Sequence, residues 1–483
     1  KLVDTSNTGN QPFVSDDSKI VLVANAEIYN HNALKLKYKL KTKSGSDCEV
    51  ILRLYEKLKD FSKVLYELDG VYSIVLMDSN TNSIYAARDP FGIRPLFIGY
   101  NTLNGNIIDI GLSSELKGLI NLFNFNTPVP PNSNWSILSP HKFNTTLKYL
   151  YNFHMIKQSA SYEEAKHVIK ALLSYSVKKR LMGNRSIGCF LSGGLDSSLV
   201  AALVCKELKT QVNTYSIGLK GSTDLKYAKQ VADYIGSKHH EIIFTEQEGI
   251  AAIDHVIYSQ ETFDITTVRA GVPMWLLSQY ISKYTKDVII FTGEGSDELF
   301  QGYIYFHKAP NDTEAKQESI RLLKNLYLFD VLRCDRTTAA HGLEVRVPIL
   351  DLKLVDYCLN LDDSYLRPIK GIEKYILRDA FKYDKLIPDS VLWRPKEAFS
   401  DGVSGVENSW YKIIQKYVDT KINASKLSNN FSHIPAKTKE GYYYRKIFNG
   451  YFHNKNSHII PYYWMPKWSN TDDPSARTLE WYT

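Results

Sequence analysis

Leu191-Ser192-Gly193-Gly194-Leu195-Asp196-Ser197-Ser198 decides how the larger part of this chain folds. The octet continues the apolar run Ser186-Ile187-Gly188-Cys189-Phe190-Leu191, which has strand length, and opens a helical stretch over residues 197–208. A strand that passes through a glycine turn into a helix begins the crossover of a parallel sheet. Outward from it the alternation persists. The pattern predicts a helix over 162–181 before it, then a strand at 212–217, a helix at 224–237 and a strand at 241–244. Beyond Ala251 helices dominate, with one more strand in Asp287-Val288-Ile289-Ile290-Phe291-Thr292. This is the pattern of a doubly wound α/β domain.

Each part of the octet suits an anion. The glycines let backbone approach a phosphate, and the free amides and dipole at a helix start favour negative charge. Hydroxyls of Ser192, Ser197 and Ser198 add donors. Asp196 would oppose phosphate unless a divalent cation joined them. The alternative is a plain N-cap, with Ser and Asp satisfying free amides. A second signal, Thr292-Gly293-Glu294-Gly295-Ser296-Asp297-Glu298-Leu299, leaves the last strand and so belongs at the same carboxyl edge. Its three carboxylates repel one another unless a cation or proton intervenes, or unless the loop is simply solvated.

The N-terminal part reads differently. Lys19-Ile20-Val21-Leu22-Val23-Ala24 and Val71-Tyr72-Ser73-Ile74-Val75-Leu76-Met77 read as strands, and a turn at 78–82 leads into Ser83-Ile84-Tyr85-Ala86-Ala87, a hairpin. A helical pattern runs through 48–56. Interleaved helices and mostly antiparallel strands predict a layered α+β domain. Residues 124–144 are rich in Asn, Pro and Ser and form a surface boundary in which a short strand is possible. The domains are therefore set at 1–150 and 151–483, as the length of 483 residues favours.

Composition narrows the class. The net charge of +7 is spread among alternating acids and bases, so no nucleic-acid partner is expected, and no apolar run is long enough to span a membrane. Cys48, Cys189, Cys205, Cys334 and Cys358 form no zinc-ligand pattern and read as free thiols, hence a cytoplasmic location. The chain opens on Lys1-Leu2-Val3-Asp4 as if on a strand already under way, so an upstream piece is expected.

The octet S-G-G-x-D-S-S resembles the pyrophosphate loop of the N-type ATP pyrophosphatases, which lack the G-K-[ST] ending of kinase-type loops. Together with the second loop it resembles the glutamine-dependent asparagine synthetases, of eukaryotic type, over nearly the whole chain. Also matching are Glu261-Thr262-Phe263-Asp264-Ile265-Thr266-Thr267-Val268-Arg269, the blocks at 342–351 and 394–402, and the tail at 463–479, to which no chemistry is assigned. The resemblance implies ATP and Mg²⁺, with Asp196 and Asp297 holding the metal. It implies Leu191, Ser192, Gly193, Gly194, Asp196, Ser197, Ile217, Thr292 and Gly293 around ATP. Glu294 would be the acid/base as ammonia attacks β-aspartyl-AMP, Thr266 and Arg269 would orient aspartate, and Lys396 would meet phosphate charge.

Asn25-Ala26-Glu27-Ile28-Tyr29-Asn30-His31, with Gly45-Ser46-Asp47-Cys48-Glu49 and the block at 88–96, resembles the N-terminal-nucleophile glutaminases, an αββα fold. This implies Leu2, Val3, Asn25, Ala26, Glu27 and Asp47 around glutamine. Ala26 stands where that pattern has glycine, so any positive φ there would cost energy. The family nucleophile is an N-terminal Cys, expected upstream of Lys1; Cys48 is no substitute, and the chain as it stands is not expected to hydrolyse glutamine. A homodimer is likewise implied. β-Lactam-forming relatives carry tyrosine where this chain has Glu294, and an inactive relative is expected to lose Asp196, Glu294 or Asp297; all three stand.

Overall fold

A computed structural model describes residues 2–138, 144–149, 159–405, 408–427 and 431–479; the domain boundary expected at 150 lies outside them. The chain divides into two compact units. One comprises Lys1–Asn152, Met182–Arg185 and Asn454–Ile459; the other comprises Phe153–Leu181, Ser186–His453 and Ile460–Thr483.

In the first unit Phe13–Val14 (β1), Ile20–Ile28 (β2), Gly70–Asp78 (β3) and Ser83–Arg88 (β4) form an antiparallel sheet. Phe97–Leu103 (β5), Asn106–Ser113 (β6) and Phe125–Pro128 (β7) make a second sheet, while Ser133–Leu138 (β8) and Asn144–Tyr149 (β9) extend the first beyond β4. Two strands thus arise in the Pro-rich stretch read as a surface boundary with room for a short strand. Pro128 ends β7, and Pro130 lies in the following turn, its carbonyl accepting from the Ser133 hydroxyl at 2.5 Å, so no proline interrupts β8. Helices His31–Tyr38 (α1), Glu49–Leu58 (α2) and Phe61–Glu67 (α3) bury Leu34, Ile51, Leu54 and Val64 against Leu22, Ile74 and Leu76. A second core, including Ala86, Ile98 and Ile137, draws on both sheets, giving helix, sheet and sheet in layers. Leu2, Val3 and Asp4 form no strand; the Leu2 and Val3 carbonyls accept from Asn184 instead.

In the second unit five strands, Ser186–Phe190 (β10), Asn213–Gly218 (β11), Lys238–Ile243 (β12), Asp287–Phe291 (β13) and Glu344–Arg346 (β14), pair in parallel in the order β12-β11-β10-β13-β14. The chain winds outward from β10 to β12 and then resumes on the other side with β13, so the direction reverses between β10 and β13. Ligand crevices in such sheets form at that reversal, at the carboxyl ends. Helices Tyr162–Lys179 (α4), Leu195–Leu208 (α5), Thr223–Ile235 (α6), Glu246–Gln260 (α7) and Ile265–Tyr284 (α8) wrap the sheet. α4 and α7 each begin with a capping box, Ser161 with Glu164 and Thr245 with Glu248. β14, three residues with charges at both ends, has no apolar period to betray it in sequence. Beyond it Asp351 caps the next helix and pairs with Lys179 at 2.5 Å and Arg180 at 2.8 Å at the end of α4.

Candidate active site

The two loops that leave β10 and β13 meet at the reversal. Gly193 takes φ +73°, and a Cβ there would lie 2.4 Å from the Ala228 amide nitrogen and 2.5 Å from the Tyr227 carbonyl carbon. Backbone cannot give way, so only glycine lets the turn seat against α6. Gly194 is the N-cap of α5 and has no side chain to bond the free amides, leaving them for a ligand. The Ser192 and Ser197 hydroxyls lie 3.0 Å apart across the turn. On the other loop, a Cβ on Gly293 would meet the carbonyl carbon of Asp196 and the amide nitrogen of Ser197, both at 2.7 Å. The two loops interlock at van der Waals distance.

Their carboxylates converge on one point. The Lys374 ammonium lies 2.5 Å from Asp196 Oδ2 and 2.7 Å from Asp297 Oδ1, while Lys396 Nζ lies 2.7 Å from Asp297 Oδ2. The Ser296 hydroxyl donates to Asp196 Oδ1 at 2.6 Å. Burial would raise the Asp297 pKa, but Lys374 and Lys396 outweigh it and hold this carboxyl far below the usual range. Burial likewise pulls Lys396 down, and Asp297 with Asp196 more than reverses that. A cation already bridging two carboxylates shows that both can face one positive centre. Among the described residues no three His, Cys, Asp or Glu side chains gather to hold a metal alone. Two carboxylate oxygens beside a phosphate-binding loop are the donor set Mg²⁺ takes when phosphate completes its shell.

Glu294 is half-buried beside Arg333, whose Nη2 donates to it at 2.8 Å and whose other amino nitrogen bonds Asp330. Burial raises the Glu294 pKa, Arg333 works against that, and Asp330 adds to it; the result lies above the ordinary carboxylate range. Burial also lifts Glu298 well above its usual value; this acid accepts from the Tyr303 hydroxyl at 2.6 Å. Thus the three acids of one loop divide: Asp297 is held ionised, and Glu294 and Glu298 are pushed toward the neutral form.

The cleft over this floor is lined by Leu191, Ser192, Gly194, Asp196, Ser197, Ile217, Thr266, Thr292, Gly293, Glu294, Asp297 and Lys396, so most of the expected residues come together. Gly193 sits beneath, its carbonyl accepting from Arg394 at 3.1 Å. The Thr266 hydroxyl is buried, Thr266 lines the cleft, and the hydroxyl has no hydrogen-bond partner among the described residues. Arg269, expected to orient aspartate, stands apart from these residues. Both edges of its fork are taken, by Glu440 at 2.6 and 2.8 Å and by Asp473 at 2.8 Å, and it does not line the cleft. Lys374, Arg333, Asp330 and Arg394 complete the site without having been singled out in sequence. Arg394 alone lay in a noted block; the others come from segments with no motif.

In the first unit Asn25, Ala26 and Glu27 lie along β2, paired with Ser73, Tyr72 and Val71. Ala26 is in regular register and does not take positive φ, so the alanine carries no strain. Glu27 and Asp47 are buried, and Asp47 Oδ2 accepts the Ile28 amide at 2.7 Å. Asp4 receives the Gly45 amide at 2.9 Å, which brings the segment with Leu2 and Val3 to the loop before Asp47. Cys48 precedes α2, buried, its thiol 3.4 Å from the Ala26 carbonyl oxygen. Arg88 donates to three backbone carbonyls and Asp89 accepts four amides, so this block knots the loop after β4.

Residues 168–317 and 308–481 match the family model described as asparagine synthase, and residues 1–168 match that of a glutamine amidotransferase domain. The glutamine-hydrolysing asparagine synthetases of Cricetulus griseus and Homo sapiens are each 46% identical over 490 residues, covering 95% of this chain and 86% of theirs. Among solved structures, the NH3-dependent NAD synthetase of Campylobacter jejuni is 21% identical over 35% of this chain and 75% of its own, with a TM-score of 0.22, too low to carry weight. A glutamine amidotransferase domain thus precedes an asparagine synthase domain built on the parallel sheet.

Proposed function

The chain belongs to the glutamine-hydrolysing asparagine synthetase family, and we propose that the cleft between its two interlocked loops is where ATP and aspartate react. The reaction is the family's: aspartate and ATP give β-aspartyl-AMP and pyrophosphate, and ammonia from glutamine then gives asparagine and AMP. The observation that carries the site assignment is the convergence of Asp196 and Asp297 on one cation beside the free amides of α5.

Leu191, Ile217, Thr292 and Gly293 line the adenosine. Ser192, Ser197 and the amides after Gly194 cradle pyrophosphate. Asp196 and Asp297 hold Mg²⁺, which when bound neutralises phosphate charge. Lys396 donates to the phosphate oxygens, Thr266 to aspartate, and no Arg269 contact is invoked. As the ammonia nitrogen attacks the adenylate carbonyl, Glu294 accepts its proton and the carbonyl–phosphate oxygen bond breaks, releasing AMP. A half-buried carboxylate with a raised pKa is a stronger base than a fully solvated one, and Arg333 fixes its direction. Asn25 and the Ala26 backbone form the oxyanion hole of the glutaminase, with Leu2 and Val3 alongside, while Glu27 and Asp47 take the substrate amine. Domain limits of 1–150 and 151–483, a homodimer and a cytoplasmic setting belong to the same reading, testable by sedimentation and fractionation.

The first test supplies the full-length protein with ATP, Mg²⁺, aspartate and either ammonium or glutamine. Asparagine, AMP and pyrophosphate in equal amounts are expected, and Asp196→Asn and Asp297→Asn are each expected to remove Mg²⁺-dependent AMP formation. Unchanged AMP formation in both variants would overturn the site assignment.

A further inference from the structure

Residues 460–479 hold one three-residue helical turn, Ala476–Thr478, yet they are tied down by polar contacts. Asp473 takes the second edge of Arg269 and a hydrogen bond from Gln415 at 2.8 Å. The Ser475 hydroxyl donates to Asp401 at 2.8 Å. Arg477, with only 5% of its side chain exposed, donates to Glu397 at 2.5 Å and to the Ser409 hydroxyl at 3.0 Å. The Arg477 contact lands on the segment that carries Lys396, and the Ser475 contact lands on Asp401 in the short helix Phe399–Gly402 that follows it.

That segment needs holding. Residues 394–398 have no helix or strand, and their backbone is tied only at its ends, by the Arg394 amide to the Val391 carbonyl and by the Ala398 carbonyl to the Asp401 and Gly402 amides. Glu397, the next residue, is gripped on both oxygens: Oε1 by Arg477, Oε2 by Arg394 at 2.9 Å and by the Thr223 hydroxyl at 2.8 Å. Arg394 stacks 4.1 Å over the Tyr227 ring and reaches the Gly193 carbonyl. A buried chain of charges therefore runs from Arg477 through Glu397 and Arg394 to the phosphate loop. Such pairs add little net stability but specify one geometry.

We propose that residues 473–477 are a latch that holds the Lys396 segment over the nucleotide, with Arg477 as a positioning residue acting through Lys396. The proposal rests on the phosphate role given to Lys396 above. It is tested in the full-length protein with ammonium as nitrogen donor, comparing Arg477→Ala, Arg477→Lys, Ser475→Ala, Lys396→Ala and the Arg477→Ala/Lys396→Ala double variant. A misplaced catalytic cation costs about tenfold to hundredfold in kcat, so Arg477→Ala is expected to lose that much while the KM for ATP changes less. Arg477→Lys, which keeps the charge on Glu397, recovers most of it. The double variant matches Lys396→Ala alone. Ser475→Ala, which removes one hydroxyl and leaves the fold intact, loses about threefold in the same direction. Losses that multiply in the double variant, or unchanged kcat in Arg477→Ala and Ser475→Ala, overturn the latch. Wild-type kcat in Lys396→Ala instead overturns the role of Lys396 itself, and the latch with it.

Discussion

Glu294 and Asp297 stand three residues apart on one loop with opposite proton affinities, and neighbours rather than sequence spacing cause the split. Asp297 faces two ammonium groups; Glu294 faces one guanidinium that Asp330 already engages. The division suits two tasks, since a metal ligand must stay ionised and a base must be able to take a proton. Glu294→Gln keeps the shape and removes the base. It is expected to continue forming β-aspartyl-AMP and pyrophosphate from ATP and aspartate while release of asparagine and AMP falls about a hundredfold or more. Separate assays of pyrophosphate and asparagine check this, and parallel losses in both would remove Glu294 from the amide-forming step.

Elements deliver these residues, and their joints are where stability is read. Asp351 caps the helix Leu352–Leu359 and binds the end of α4 through Lys179 and Arg180. Burial works to raise its pKa, but the two cations outweigh it and hold it at about 2, below its ordinary 3.8. The folded state thus binds this proton less tightly than the unfolded one. Ionised Asp351 stabilises the fold fully above pH 3.8, and the contribution is lost as pH falls toward 2. Asp351→Asn is expected to cost about 2 kcal/mol at neutral pH and progressively less below pH 4. Thermal midpoints of both proteins across that range check it; a gap independent of pH would assign the loss to packing. Which elements exist was largely legible in sequence. β10, β11, β13 and the helices between them carry plain apolar periods, and the two loops carry motifs. β14 is too short for a period, and β8 was obscured by prolines that lie in the turn before it. Lys374 and Arg333 were not legible because only folding brings the segments 300–380 over the loops. The pairing of Arg269 with Glu440 and Asp473 was not legible either, since these partners lie 171 and 204 residues away.

At the scale of the whole molecule, each unit has its own sheets and core, so the two chemistries can be damaged separately. Gly193→Ala would force a Cβ into the backbone of α6. In the full-length protein this variant is expected to lose ATP-dependent AMP formation by about a hundredfold, by displacing the phosphate loop, while glutamine hydrolysis continues. Glutamate release measured beside AMP formation tests it; loss of both would tie the glutaminase to the fold of the phosphate loop.

The contact between Gly293 and the backbone of Asp196 and Ser197 also bears on descent. A side chain at Gly293 would require the facing backbone to move with it, so this contact is expected to change little among related chains. The rim, built from residues 394–402 and the tail, meets the floor through side chains that can be exchanged singly. Changes in what is adenylated, or in what attacks the adenylate, are therefore expected in side chains, at the rim and at Glu294 itself, rather than in the backbone contact beneath them.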